Sequence, residues 1–244
     1  MNALAESCAT NVLVPSAVSE HRFYVAAAIS IVIVVLAGFS IDIPLLSHLG
    51  SLSVLVRAHG LIMLTWITLF FTQALLVARH RADLHMRLGI FGAVLALAVV
   101  VADTATIITA CRLGGNHIPP GASPPLFLAL GLFNLFTFAM LVGAALALRK
   151  RRSDWHKRLM LLAALLLLDA ALARFIGVYT PWTVDSSTLR NLIVLACVAV
   201  DTFRHRRLHP AFVIGGLLVF ANDYVAIWAA DTSAWLLFTK ALLT

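Results

Sequence analysis

The residues best suited to chemistry are two histidines at matching positions of a repeated motif. The segment Arg81–Leu88 (RADLHMRL) recurs seventy-one residues later as Arg152–Leu159 (RSDWHKRL), with identity at five of eight positions. Each copy precedes a long apolar run, so His85 and His156 are expected at the same depth on two related helices. Imidazoles in that arrangement are the usual axial ligands of haem in membrane cytochromes. The pair therefore predicts a site for haem b, or for quinone-linked electron transfer.

Two features of the sequence weigh against haem. Both histidines stand at the start of their helices, where a haem would meet water, and His59 has no histidine partner in another span. His205 and His209 have the i, i+4 spacing that places two imidazoles on one helix face. Pro210 follows them directly and no glutamate is near. A basic, lipid-facing loop is therefore the favoured interpretation of that segment.

A second set of ionisable residues interrupts the apolar runs further along each helix. Asp103 lies 18 residues after His85, and Arg174 lies 18 residues after His156. Eighteen residues make five helical turns, and an unpaired charge at depth costs about 2.5–3.5 kcal/mol. The repeat therefore predicts an ion pair between Asp103 and Arg174. It also predicts an outer polar cavity that binds a ligand and is lined by five residues: His59, Gln73, Asp103, Arg174 and Asp223.

The other charges of the motif suit the start of a helix at a membrane surface. Asp83 and Asp154 are predicted to precede their helices and to cap the free N–H groups. The four arginines of the two copies are expected to contact lipid phosphates of the inner leaflet: Arg81, Arg87, Arg152 and Arg158. Capping combined with lipid anchoring explains the motif without any chemistry, and this alternative stays open.

The composition assigns these residues to a membrane protein. Of the 244 residues, 61% are hydrophobic and only 12% are Asp, Glu, Lys or Arg, and the mean hydropathy is +0.97. That charged fraction is about half the share found in soluble domains, so lipid must replace water around most of the chain. The net charge of +7 is concentrated in short loops, and no nucleic-acid partner is expected. The three cysteines are scattered and indicate neither a disulfide framework nor a thiolate metal site.

Seven apolar runs are long enough to cross about 30 Å of hydrocarbon as helices. They predict an all-α integral membrane protein with a seven-helix bundle at residues 23–230, after an N-terminal tail at 1–22. The internal duplication corresponds to two helical hairpins at about 55–110 and 125–178. A C-terminal interfacial segment is predicted at 231–244. None of the runs contains the Gly/Pro break that is typical of a substrate-coordinating transporter helix.

The basic residues predict the orientation of the bundle. Lys and Arg are concentrated in the loops that follow the second, fourth and sixth runs, which therefore lie on one side. The positive-inside rule makes that side cytoplasmic. The chain is thus predicted to be a multi-pass protein of the bacterial cytoplasmic (inner) membrane, with its N-terminus inside and its C-terminus outside.

The order of the polar motifs resembles a widespread family of bacterial polytopic membrane proteins that carries a domain-of-unknown-function label. That family typically has a His-Arg-x-x-Gly element before one span and a His-Arg-x-x-Met element before a later one. The resemblance covers residues 55–178 and is carried by these residues and segments: Arg57–Gly60, Gln73, Arg79–Gly89, His156–Met160 and Arg174. Met86 and Lys157 stand where the family usually has arginine. The resemblance implies the fold and the location, and it brings no known activity.

Several functions are compatible with these patterns. The leading interpretation is an accessory or assembly protein, without enzymatic activity, that acts as a subunit of a membrane complex or as a homo-oligomer. The first alternative is the haem or quinone-linked protein. The second is a small-solute or proton-coupled transporter with Asp103, Asp169, Asp223 and His59 as titrating groups. A metal-dependent intramembrane hydrolase is disfavoured, because His59 and Asp103 are predicted on the side opposite the His205/His209 segment.

Overall fold

The computed structural model describes residues 17–40, 53–119, 121–179 and 185–243, and within these ranges it contains helices and no strand. One short 3₁₀ turn, Gly115–His117, follows the third helix. The α-helices are α1 (Ala17–Phe39), α2 (Val54–Ala78), α3 (Ala82–Leu113), α4 (Pro124–Leu148), α5 (Ser153–Leu166), α6 (Asp169–Tyr179), α7 (Ser186–His205), α8 (Pro210–Ala230) and α9 (Ser233–Leu243).

Seven helical segments are long and apolar enough to cross a membrane, which confirms the predicted fold class. The fifth of these spans consists of α5 and α6 together, and the others are α1 to α4, α7 and α8. Large apolar side chains cover the outside of the bundle, as lipid requires: Leu36, Leu97, Leu217 and Trp228 are all more than 60% exposed. The predicted orientation and the predicted internal duplication stay predictions. Most of the predicted N-terminal tail, residues 1–16, lies outside the described residues.

The loops at 79–81, 149–152 and 206–209 lie at one end of the bundle, which we call the basic end. Both copies of the repeated motif begin a helix there, α3 at Ala82 and α5 at Ser153. Asp83 and Asp154 are therefore the second residues of their helices, and the prediction that they precede the helices is wrong. Their carboxylates nevertheless accept from N–H groups of the first turn, those of Leu84 and Trp155. Arg81 and Arg152 occupy the cap positions without a capping side-chain bond. The carboxylates still favour the positive end of the helix dipole.

Span five is the centre of the bundle. Every residue from Leu161 to Leu166 is at most 1% exposed, so this part of the span is surrounded by other helices on all its faces. The helices packed around this span are α1, α4, α7 and α8. A charged residue on the buried part of span five is consequently expected to find its partner on a neighbouring helix.

Span five is also broken in the middle of its length. α5 ends at Leu166 and α6 begins at Asp169, with a turn in which the Leu168 N–H donates to the Leu165 carbonyl at 3.1 Å. The sequence analysis predicted unbroken spans, because no glycine or proline marks this point. The Asn134 side chain of α4 donates to the freed Leu166 carbonyl at 3.4 Å. Such breaks persist in membranes only where neighbouring protein or a water-filled cavity satisfies the backbone.

The last helix packs against the end of the bundle opposite the basic end. The Trp235 indole donates to the Pro125 carbonyl at 2.9 Å, and Arg112 donates to the Leu242 carbonyl at 2.7 Å. Residues 233–243 thus form a helix that is docked on α3 and α4. Their predicted interfacial location stays a prediction.

Candidate functional site

A fully buried arginine lies at the break in span five. Arg190, near the start of α7, is 0% exposed, and its guanidinium contacts Asp169 through one terminal nitrogen and Asp223 through the other. Asp169 is the first residue of α6, and Asp223 belongs to α8. The Asn191 side chain also accepts from Arg190, at 3.1 and 3.3 Å. Spans five, six and seven therefore converge on one cation, and we call Asp169, Arg190 and Asp223 the triad.

The triad continues into span four through a chain of hydrogen bonds. Asn222 donates to Asp223 at 3.2 Å, and its side-chain oxygen accepts from the Thr137 hydroxyl of α4 at 2.8 Å. Asn222 and Thr137 are buried. Connected polar groups in a low-dielectric interior strengthen one another and fix a single arrangement of their helices. The network thus ties together the four C-terminal spans.

The charges of the triad do not balance. One guanidinium faces two carboxylates, and the second oxygen of Asp169 is buried without a hydrogen-bond donor among the described residues. Buried polar atoms in native proteins almost always have a partner. The site therefore has a place for a proton on one carboxylate, or for a hydrogen-bond donor supplied by a ligand.

A second buried ion pair lies near the basic end. Arg158 of α5 binds Asp201 of α7 through three hydrogen bonds of 2.9–3.0 Å, and both side chains are at most 3% exposed. Its remaining terminal nitrogen donates to the Asp154 carbonyl at 3.0 Å. The predicted lipid contact of Arg158 is therefore wrong. Arg81, Arg87 and Arg152 are exposed, as a lipid contact would require.

The two ion pairs follow from one spacing that occurs twice. Span five carries Arg158 and, eleven residues later, Asp169, while span six carries Arg190 and, eleven residues later, Asp201. In an unbroken helix eleven residues make about three turns, so the sequence spacing predicts each pair of charges on one helix face, about 16 Å apart. Because the two spans run in opposite directions, each arginine meets the aspartate of the other span. The equal spacing of the four charges is a sequence signal for both buried ion pairs.

Ionisable side chains from three spans surround a cleft at the basic end, beside Arg158. The cleft has a volume of about 90 Å³ and is lined by Glu20, Asp154, Lys157, Arg158, His205, Arg207 and His209. Lys157 contacts Glu20, and the His205 ring lies 2.9 Å from the Asp201 carbonyl oxygen. His209 is only 6% exposed. The prediction that the His205–His209 segment is a lipid-facing loop is therefore wrong for His209, whereas Arg206, Arg207 and Leu208 are exposed, as that prediction requires.

His209 is held in one neutral tautomer. Its Nδ1 accepts from the Ala211 N–H at 3.1 Å and so caps α8, which leaves the proton on Nε2, 2.8 Å from Asp154. Burial lowers the pKa of His209 below its usual 6.5, and the nearby Arg158 lowers it further, although the bond to Asp154 acts in the opposite direction. Protonation of Nδ1 would remove the cap.

We expect mild acidification to destabilise the protein through His209. Because its pKa is lower in the folded state, the unfolded state binds more protons, and stability falls as the pH drops through about 6.5. Loss of an N-cap costs about 1 kcal/mol. Unfolding of the detergent-solubilised protein at pH 7.5 and at pH 5 measures this. His209→Asn keeps a capping side chain that does not titrate, and an unchanged pH dependence in this variant would exclude the assignment.

The residues of the predicted outer cavity are distributed over four places. Asp103 lies 2.8 Å from His59, and not beside Arg174, which is exposed, donates to the Ala170 carbonyl at 3.0 Å and lies 4.6 Å from the Phe39 ring centre. The predicted Asp103–Arg174 ion pair is therefore wrong. Gln73 lies near the basic end, where its amide donates to the His85 carbonyl at 3.3 Å. Asp223 belongs to the triad.

The two histidines of the repeated motif do meet. The ring centres of His85 and His156 are 6.3 Å apart, and the ring planes are inclined at 80°. The Nδ1 of His156 lies 2.9 Å from the Ala145 carbonyl oxygen, and the Nδ1 of His85 is buried without a partner among the described residues. In the part of the chain that the structure describes, no three histidine, cysteine or acidic side chains are grouped so as to hold a metal ion.

Comparison with protein-family models, with curated proteins and with solved structures finds no match for this chain in any of the three. The resemblance in the polar motifs of residues 55–178 therefore stays a prediction.

Proposed function

We propose that the protein translocates protons across the membrane through the triad. The observation that carries this proposal is a buried arginine between two carboxylates at the break of a membrane span. Ionisable groups inside a membrane are costly and commonly mark ion or proton pathways. Discontinuous helices form the binding sites of many transporters, where freed backbone groups and charged side chains face the substrate.

The proton is favoured as the transported species because of the charge imbalance. A single proton bound by Asp169 or Asp223 neutralises the triad, and the unpartnered oxygen of Asp169 is available to bind it. Arg190 stays charged and holds both carboxylates in place. Opening of the turn at Leu167–Leu168 would separate Asp169 from Arg190 and change its proton affinity, which couples protonation to movement of α6.

Proton flux into liposomes tests the proposal. The purified protein is reconstituted with a pH-sensitive dye inside the vesicles, and a potassium diffusion potential drives protons inward. We expect a flux above that of empty vesicles, reduced at least tenfold in Asp169→Asn and in Asp223→Asn. Infrared spectra should show the C=O band of a protonated carboxyl that both variants weaken.

Asp185→Asn is the matched control for these variants. Asp185 caps α7 at the same end of the bundle, and hydrogen bonds from Ser187 and Thr188 lower its pKa to about 2. Asparagine is an equally good capping residue, so this variant should keep the wild-type flux. A flux equal to that of empty vesicles, or one that Asp169→Asn leaves unchanged, would contradict the proposal. The accessory role in a membrane complex stays a prediction, which co-purification of a partner would support.

A further inference from the structure

We infer that the cleft at the basic end binds the headgroup of an aminophospholipid, which carries a phosphate and a primary ammonium group. The cleft lies between three spans at the end of the bundle where the basic loops are, and its volume is about 90 Å³. A single water needs only about 15 Å³ of such space, so a group of several heavy atoms can enter. None of the lining residues belongs to the triad, and the inference is independent of proton translocation.

Most of the charges at the cleft are already paired with one another. Lys157 contacts Glu20, and Arg158 is held by Asp201 through three hydrogen bonds. Each of these two pairs is neutral as a whole, so it attracts neither a simple anion nor a simple cation. The charge of the ligand is therefore selected by the remaining ionisable residues of the cleft.

Two side chains of opposite charge have no oppositely charged partner. Arg207 is exposed and forms no ion pair with the described residues. The side chain of Asp154 is 49% exposed, and its only side-chain partner in the described part of the chain is the neutral imidazole of His209, at 2.8 Å. Arg207 and Asp154 line the same cleft, yet no ion pair within 4 Å joins them. A ligand that carries one negative and one positive group can bind both.

The headgroup of an aminophospholipid complements these two charges. Its phosphate can accept two parallel hydrogen bonds from the guanidinium of Arg207, the geometry in which arginine binds phosphate most strongly. Its ammonium group, only two carbons away, can donate to the carboxylate of Asp154. A simple anion would instead be repelled by Asp154, and a simple cation by Arg207.

The position of the cleft favours a lipid over a soluble zwitterion. Basic residues next to the end of a span lie at the level of the lipid phosphates, and Arg207 belongs to the loop between α7 and α8. The neighbouring Leu208 is 52% exposed and offers an apolar surface to the acyl chains. A lipid can therefore place its headgroup in the cleft while its chains stay in the bilayer.

The test is native mass spectrometry of the full-length protein in detergent, titrated with three phospholipids that have the same acyl chains. Phosphatidylethanolamine has both charged groups, phosphatidylglycerol lacks the ammonium group, and phosphatidylcholine has methyl groups in place of the N–H donors. We expect one phosphatidylethanolamine to be retained per chain, with an affinity at least tenfold higher than that of the other two lipids.

Substitutions in the cleft locate the bound lipid. Arg207→Gln and Asp154→Asn should each lower the affinity for phosphatidylethanolamine at least tenfold, and Arg207 is exposed, so its substitution should leave the fold intact. The matched controls are Arg151→Gln, at another exposed arginine of the basic end, and Asp83→Asn, at the position of Asp154 in the other copy of the motif. Neither control residue lines the cleft, so both variants should keep the wild-type affinity.

Three outcomes would overturn the inference: no retained phospholipid, retention of phosphatidylglycerol as tight as that of phosphatidylethanolamine, or binding that survives both Arg207→Gln and Asp154→Asn. Glycerophosphoethanolamine, the same headgroup without acyl chains, should compete only weakly, and an equal affinity would refute the assignment to a lipid. The proton-flux assay probes the triad and not this cleft, so either proposal can fail alone.

Discussion

Arg190→Met is expected to destabilise the protein by about 3–5 kcal/mol, because it leaves the two carboxylates of the triad without their cation. Arg190 is 0% exposed, so water cannot replace its hydrogen bonds to Asp169, Asp223 and Asn191. Methionine matches the length of the aliphatic stem, so the loss should come from the unpaired charges rather than from a cavity. Unfolding in mixed micelles by titration with sodium dodecyl sulfate measures the difference in free energy.

The control removes the two carboxylate charges that Arg190→Met leaves unpaired. Arg190→Met combined with Asp169→Asn and Asp223→Asn should recover most of the lost stability, since no uncompensated charge stays buried. Arg151→Ala changes an exposed arginine at the basic end, and it should alter stability by less than about 0.5 kcal/mol. If Arg190→Met alone unfolds within about 1 kcal/mol of the wild type, the triad does not hold the spans together.

The second large effect is expected at the buried ion pair between Arg158 and Asp201. Arg158→Met and Asp201→Leu should each cost about 3–5 kcal/mol, because each leaves one charge buried without a partner. The double variant replaces the pair with apolar side chains and should be far closer to the wild type. A double-mutant cycle on the same unfolding assay should therefore give a coupling energy of more than about 3 kcal/mol, because the two single losses together far exceed the loss in the double variant.

The geometry makes this pair the most strongly coupled contact of spans five and six. Arg158 and Asp201 share three hydrogen bonds, and fork-to-fork pairs of this kind are the strongest charge-assisted contacts. An equivalent cycle between Arg81 and Asp83, which are exposed and 3.4 Å apart, should give less than about 0.5 kcal/mol. Similar coupling energies in the two cycles would mean that burial does not strengthen the interaction between Arg158 and Asp201.

Composition and run length predicted the fold class because lipid imposes a simple rule on each span separately. A helix must be long and apolar enough to satisfy its backbone in hydrocarbon, and this can be judged without knowledge of its neighbours. The meeting of His85 and His156 was predictable for a similar reason, since the repeated motif gives both histidines one depth. The depth of a residue in the membrane depends on its own helix alone, so it can be predicted from the sequence.

The contacts between helices were predicted poorly, because the depth of a residue in the membrane does not determine which helix lies beside it. Asp103 and Arg174 have matching positions in the repeat, yet Asp103 pairs with His59 on the adjacent helix α2. Arg158 likewise pairs with a residue of α7, so the prediction that Arg158 contacts lipid was wrong. The equal spacing of Arg158–Asp169 and Arg190–Asp201 would have identified both buried pairs, because consecutive spans are antiparallel and adjacent more often than not.

The break in span five has no signal in its own residues. Leucines occupy the turn, and leucine is a good helix former. The break is stabilised from outside, by the Asn134 side chain on the Leu166 carbonyl and by Arg190 on Asp169. Gly38 contributes as well, since a Cβ there would lie 2.2 Å from the Ala171 carbonyl oxygen in the first turn of α6. Contacts of this kind appear only when all the helices are assembled.

The reciprocal charges of spans five and six also determine how the chain can enter the bilayer during synthesis. Span six has a mean hydropathy of 1.3, the lowest of the seven spans. It also carries Arg190 and Asp201, and insertion scales make the transfer of such charges into lipid unfavourable by several kcal/mol. Span five carries the two opposite charges that cancel them. The translocon would therefore have to release the two spans together as a hairpin. The ion pairs that stabilise the folded bundle would then also allow its least hydrophobic span to insert.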